Sequence, residues 1–119
     1  MPTRPNSSAP RANGASKRWV FTLNNYSPHD QDRLRALSRD PVCSYLIFGR
    51  EVGDNGTPHL QGFIILSARK RLSQVKALVG GRAHLEVARG SPAEASAYCE
   101  KEEDYEKFGE LPARASARS

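Results

Sequence analysis

Two apolar runs on either side of a four-residue turn constrain this chain more than any other feature. Cys43-Ser44-Tyr45-Leu46-Ile47-Phe48 and Phe63-Ile64-Ile65-Leu66 are both rich in β-branched and aromatic residues. Between them, Gly53-Asp54-Asn55-Gly56 collects residues that tolerate a positive φ, which signals a hairpin. The first strand continues to Glu51, and the second opens with Pro58-His59-Leu60-Gln61-Gly62. Side chains two apart on a strand share a face, so His59 and Gln61 stand side by side. Folding the hairpin brings Glu51 opposite His59. One carboxylate, one imidazole and one amide, with no thiolate, suit a labile Mg²⁺ or Mn²⁺ better than a structural zinc. The same residues also fit a hydrogen-bonded His–Gln pair on a solvated sheet face.

The elements around this hairpin follow from local signals. Trp19-Val20-Phe21-Thr22-Leu23 predicts a first strand. Ser27-Pro28-His29-Asp30 predicts a helix start, with Ser27 capping, Pro28 at the first helical position and Leu34 and Leu37 on the buried edge. His29 then falls on the surface of the first turn. A second helix is expected near 71–79, with Leu72, Val75, Leu78 and Val79 at helical period and Gly80-Gly81 ending it. Arg82 to Val87 predicts a fourth strand. Ser91-Pro92-Ala93-Glu94 has the form of a capping box, and the helix it opens is expected to run through Tyr98 to about Glu103. The order is β-α-β-β-α-β-α. Its first six elements make the split βαβ, ferredoxin-like arrangement, an α+β fold whose four-stranded antiparallel sheet offers one face to a ligand, as in RNA-recognition modules.

Composition narrows the function classes. At 119 residues the chain is one domain long. Residues 1–16 are expected to be disordered, 17–111 to form the domain, and 112–119 to form a tail. Two cysteines, Cys43 and Cys99, supply neither a disulfide framework nor a zinc site. No apolar run reaches the roughly 18 residues of a membrane span, and no secretory segment follows Met1, so a soluble intracellular protein is expected. The net charge of +5 resides mostly in the ends: four basic residues and no acid lie in 1–18, and two basic residues in 112–119. A local patch, Arg69, Lys70, Arg71, Lys76, Arg82 and Arg89 against Glu86 alone, reads either as a phosphate-binding surface or as a solvated helix face. Lys17-Arg18 fits phosphate contact or part of a nuclear-import signal.

A third constellation lies on the last expected helix. Tyr98 and Lys101 are three apart and so share a helical face. A phenol is a poor nucleophile at neutral pH, but a metal polarising a phosphodiester and a neighbouring cation make its attack feasible. A core tyrosine beside a surface lysine is the bland alternative. His84 and Glu86 also share a strand face and compete with His59 and Gln61 as ligands.

Together these motifs resemble the N-terminal nuclease domain of circovirus-type replication initiators, in the HUH endonuclease superfamily. Lys17-Arg18-Trp19-Val20-Phe21-Thr22-Leu23-Asn24-Asn25 resembles the first motif, associated with origin recognition. Thr57-Pro58-His59-Leu60-Gln61-Gly62-Phe63 resembles the metal motif in its circoviral form, and Tyr98-Cys99-Glu100-Lys101 the tyrosine motif. The likeness covers about 17–108. It implies Glu51, His59 and Gln61 as ligands of one Mg²⁺ or Mn²⁺, Tyr98 as nucleophile toward single-stranded DNA at a stem-loop origin, and Lys101 as the cation on phosphate. It also implies DNA contacts by Lys17, Arg18, Thr22, Asn24, Asn25, Arg69 and Lys70, work in the host nucleus without a membrane, and self-association of a full-length protein. Relatives often carry Glu at the position of Arg50, which leaves Glu51 as the carboxylate here. They also continue into a helicase domain that 119 residues cannot contain, so 112–119 would be a linker toward it.

Overall fold

A computed structural model describes residues 14–112, so the expectations for 1–13 and 113–119 lie outside the described residues. The described residues form five strands and three helices, in the order β1 (Ser16–Asn24), α1 (Pro28–Ser38), β2 (Cys43–Val52), β3 (Pro58–Lys70), α2 (Leu72–Val79), β4 (His84–Val87), α3 (Pro92–Cys99) and β5 (Tyr105–Gly109). The strands form one antiparallel sheet in the order β4-β1-β3-β2-β5. Its first four strands have the ferredoxin-like arrangement that the element order predicts.

The fifth strand is a departure from the sequence expectation. β5 adds to the free edge of β2, with Tyr45 opposite Gly109 and Gly49 opposite Tyr105. Its two inward residues are Glu106 and Phe108. Phe108 packs against the core, and Glu106 receives the guanidinium groups of Arg35 and Arg50.

The faces of the sheet are divided between helices. One face carries Trp19, Phe21, Leu23, Leu46, Phe48, Leu60, Ile64 and Leu85, covered by Leu34 and Leu37 of α1 and by Val75 and Val79 of α2. Of the four apolar residues at helical period in α2, Leu72 is exposed and Leu78 half-buried. The other face carries Tyr45, Ile47, Phe63 and Ile65, covered by Cys99 and Ala95 of α3. That second cluster is smaller and leaves part of its face bare. Both expected capping boxes form: Ser27 with Asp30, and Ser91 with Glu94. The β2–β3 turn closes with Gly53 N–H donating to Thr57 O at 2.9 Å, and Gly56 takes the positive φ of 87°. Among the described residues, no helix is long and apolar enough to cross a membrane.

Candidate active site

The hairpin register puts Glu51 directly opposite His59, and Gly49 opposite Gln61. On the neighbouring strand, Thr22 faces Gln61 and Asn24 faces His59. Residues directly opposed in an antiparallel sheet project to the same side. Glu51, His59, Gln61, Thr22 and Asn24 therefore share the bare end of the face that α3 covers.

Within this group the contacts are specific. His59 Nε2 lies 3.1 Å from Glu51 Oε1. The other carboxylate oxygen of Glu51 accepts a hydrogen bond from the ammonium of Lys101. The Glu51 side chain keeps only 9 % of its exposure, so both partners address a nearly buried carboxylate. Gln61 is turned toward β1: Thr22 Oγ1 donates to Gln61 Oε1 at 3.4 Å, and Gln61 Nε2 donates to Phe21 O at 3.5 Å. Among the described residues no three His, Cys, Asp or Glu side chains converge as a metal cluster. The other side-chain donors on that face, beside Glu51 and His59, are the amides of Gln61 and Asn24 and the hydroxyl of Thr22.

α3 brings the phenol. The helix is seated by Ser96, whose hydroxyl meets Tyr45 Oη at 2.6 Å in the interior, and by buried Cys99. Gly49 lets it approach. A Cβ at Gly49 would run into the Cys99 carbonyl, so only glycine allows the end of α3 to lie this close to β2. Tyr98, turned about 100° from Cys99 around the helix, is 54 % exposed. Burial pushes the Cys99 thiol up to about 12, which keeps it an inert core group.

Lys101 is not on that helix, contrary to the expectation from spacing. α3 ends at Cys99, with Glu100 as its C-cap. Glu100, Glu102, Glu103 and Asp104 crowd the negative end of the helix dipole, and the last turn holds no basic residue to offset them. The chain instead turns through Lys101, and Glu103 takes a positive φ of 63°. Lys101 still reaches Tyr98: its ammonium lies 3.8 Å from the ring centroid while it binds Glu51. Desolvation works to lower the affinity of this amine for its proton. The Glu51 carboxylate and then Tyr98 outweigh it, and the pKa is raised above 10.5. The amine stays an ammonium.

A groove of about 320 Å³ runs beside Tyr98 between α3 and the β1–β4 edge. Val20, Val87 and Ala95 are its apolar walls, and Gln61, Arg89 and the carboxylates Glu86 and Glu94 line it as well. The rival ligands His84 and Glu86 pair with each other at 2.9 Å and are well exposed on β4.

The residues expected to contact DNA fall into two groups. Thr22, Asn24 and Asn25 sit at the His59 end of the sheet, where Asn25 N–H donates to Pro58 O at 2.8 Å. Lys17, Arg18, Arg69 and Lys70 sit at the opposite end of β1 and β3, roughly 20 Å away at ~3.3 Å per residue. Lys17 and Arg18 line a larger cavity there, of about 670 Å³, with Ser91 and Pro112. The basic patch expected over 69–89 is partly neutralised, because Arg82 pairs with Asp30 at 2.7 Å. Sequence reasoning missed Gly49 and the β5 ion pairs. The signal for Gly49 was a glycine inside an otherwise apolar strand.

The chain is similar in sequence to known proteins. The family model described as "Putative viral replication protein" matches residues 16–102. A replication-associated protein of Canary circovirus is 47% identical over 96 residues, covering 81% of this chain and 32% of its own length. That of beak and feather disease virus is 48% identical over 88 residues, 74% of this chain and 30% of its own. A master replication protein of subterranean clover stunt virus is 46% identical over 85 residues, 71% of this chain and 27% of its own. The chain thus spans about a third of the length of the curated relatives it matches. With the family match running from β1 through the Tyr98 helix to the Lys101 loop, the chain belongs to the family of viral replication proteins.

Proposed function

We propose that this chain is the nicking and joining domain of a rolling-circle replication initiator, acting on single-stranded DNA at a stem-loop origin in the host nucleus with one Mg²⁺ or Mn²⁺. The observation that carries the reading is the position of Lys101, which binds Glu51 and lies over the Tyr98 ring. Nucleophile, cation and carboxylate are gathered from a helix end, a loop and a hairpin. Support for the replication role comes from relatives whose names are replication-associated and master replication protein.

The donors suit the ion. Glu51 offers a nearly buried carboxylate, His59 adds a nitrogen, and the Gln61 oxygen needs only to release Thr22. That oxygen and nitrogen set favours a hard divalent ion. When bound, the ion polarises the scissile phosphodiester.

The chain's own residues do the rest. Tyr98 Oη forms the bond to phosphorus, the bond from phosphorus to the 3′ oxygen breaks, and that oxygen leaves as a hydroxyl carrying the proton the phenol lost. Lys101, held as an ammonium, offers its charge to the phosphate. The groove of Val20, Val87 and Ala95 gives the neighbouring nucleotide an apolar surface. Attack of a 3′ hydroxyl on the phosphotyrosine reverses each bond change and rejoins the strand.

The deciding experiment incubates the protein with a pool of single-stranded oligonucleotides and Mn²⁺ and looks for an adduct that survives boiling in detergent. Wild type should form it, Tyr98→Phe should not, and peptide mapping should place the nucleotide on Tyr98. An adduct on Tyr26, Tyr45 or Tyr105, or undiminished cleavage by Tyr98→Phe, overturns the reading.

A further inference from the structure

Lys101 reaches its two partners from a loop, and a loop holds a side chain in place only if its own ends are fixed. Here both ends are tied to the β2–β5 edge. At the near end, Glu100 pairs with Lys107 of β5 at 2.8 Å. At the far end, Arg50 N–H donates to the Asp104 carbonyl at 2.8 Å, and Arg50 Nη1 donates to the Asp104 carboxylate at 2.9 Å. The Arg50 guanidinium is itself fixed by Gln31 of α1, at 2.9 Å from its Nε, and by Glu106 of β5. Arg50 is adjacent to Glu51 in β2 but projects to the other face, so it has no contact with the site it borders.

We propose that Arg50, through Asp104, is a positioning residue that holds the 100–104 loop so that Lys101 lies between Glu51 and Tyr98. This inference rests on the nuclease reading only for its effect on rate. The positional part stands on contacts alone. β5 does not depend on Arg50 for its place, because it keeps its backbone pairing with β2 and its own ion pair between Glu106 and Arg35 at 2.6 Å. Loss of Arg50 or of the Asp104 carboxylate therefore removes the side-chain tie at the far end of the loop, while the backbone bond from residue 50 to the Asp104 carbonyl and the sheet remain.

The test reads Lys101 directly. Methylene protons held over an aromatic ring are shifted upfield, so the Lys101 side chain should show such a shift in the NMR spectrum of the native protein. Tyr98→Leu should abolish it, which assigns the ring. Arg50→Gln and Asp104→Ala should each cut the shift by about half or more, and Arg50→Lys should retain most of it. Cleavage of single-stranded DNA in Mn²⁺ should fall about fivefold at saturating DNA in the first two variants, with half-saturation unchanged and near-native rate in Arg50→Lys, because a small displacement of a charge costs rate rather than binding.

An unchanged Lys101 shift in folded Arg50→Gln and Asp104→Ala overturns the proposal, even if their melting temperatures drop. If Arg50→Gln does not fold, Asp104→Ala decides alone, since among the described residues its exposed carboxylate pairs with Arg50. A shift that collapses as expected in a protein with no cleavage activity supports the positioning and sinks the nuclease reading.

Discussion

Glu51 accepts from Lys101 on one oxygen and lies within reach of His59 on the other, so its nearly buried carboxylate keeps a cation when His59 is removed. His59 belongs to neither apolar cluster. His59→Ala should therefore fold normally by circular dichroism and weaken Mn²⁺ binding by roughly tenfold or more in a calorimetric titration. Native Mn²⁺ affinity in His59→Ala would remove this histidine from the site. At this scale the sequence is informative where strand geometry governs. The Glu51–His59 pairing follows from a short turn and period-2 alternation, and the register shows it. The Thr22–Gln61 contact is out of reach of such reasoning, because it joins residues 39 apart through the β1–β3 register. Three-residue spacing puts Lys101 beside Tyr98 for an insufficient reason: it suggests a helix, whereas the contact is made from a turn.

Among the elements, α3 and β5 decide whether the site exists. α3 approaches the sheet at Gly49, where a methyl group would collide with the Cys99 carbonyl. Gly49→Ala should cost about 1–3 kcal/mol of stability, the usual range for overpacking a tight contact, and should displace Tyr98 along with the helix. Chemical denaturation measures the first effect and adduct formation the second. Native stability in Gly49→Ala would mean that α3 can back away from β2 without cost.

β5 carries its own pH signature. The Arg35 guanidinium, hydrogen-bonded to Glu106, holds that carboxyl below its ordinary 4.5 against the opposing cost of burial, and Arg50 adds to the effect. A depressed folded-state value means that the stabilisation is complete above the unfolded value and disappears as pH falls through the folded one. Thermal melts should thus fall off below about pH 4.5 in wild type, and Glu106→Gln should start lower at neutral pH and fall less steeply in acid. Parallel curves would remove Glu106 from the acid response. β5 is illegible in the sequence because Tyr105–Gly109 is a short strand that follows a run of acids, and the strand it pairs with and the Arg35 that holds Glu106 both lie far upstream. The helices, by contrast, announce themselves through local capping chemistry, which requires nothing distant.

For the molecule as a whole, the nuclease reading requires one strand of DNA to engage two ends of one sheet. Asn24 lies at the Glu51–His59 end, whereas Lys17, Arg18, Arg69 and Lys70 occupy the other end of β1 and β3. Charge composition foretells that cations gather toward the chain ends. It cannot foretell this separation, which is a property of strand length and register. Cations far from the chemistry touch phosphates and contribute affinity without sequence information, and amides near it can read base edges. Lys70→Glu should accordingly weaken binding of all single-stranded sequences alike and reduce the slope of log affinity against log salt by about 0.7 for each phosphate that is no longer neutralised. Arg69 also donates to the Ala15 carbonyl at 3.0 Å, so Lys70→Glu is the cleaner change of the two. Asn24→Ala should leave that slope intact and alter which sequences are bound, because its side chain is exposed beside His59 and adds no charge. Fluorescence anisotropy over a salt series, on oligonucleotides selected by wild type and on scrambled controls, measures both quantities. Equal weakening on selected and scrambled strands for Asn24→Ala would place sequence reading elsewhere, while an unchanged salt slope in Lys70→Glu would mean that the far end of the sheet never meets the DNA.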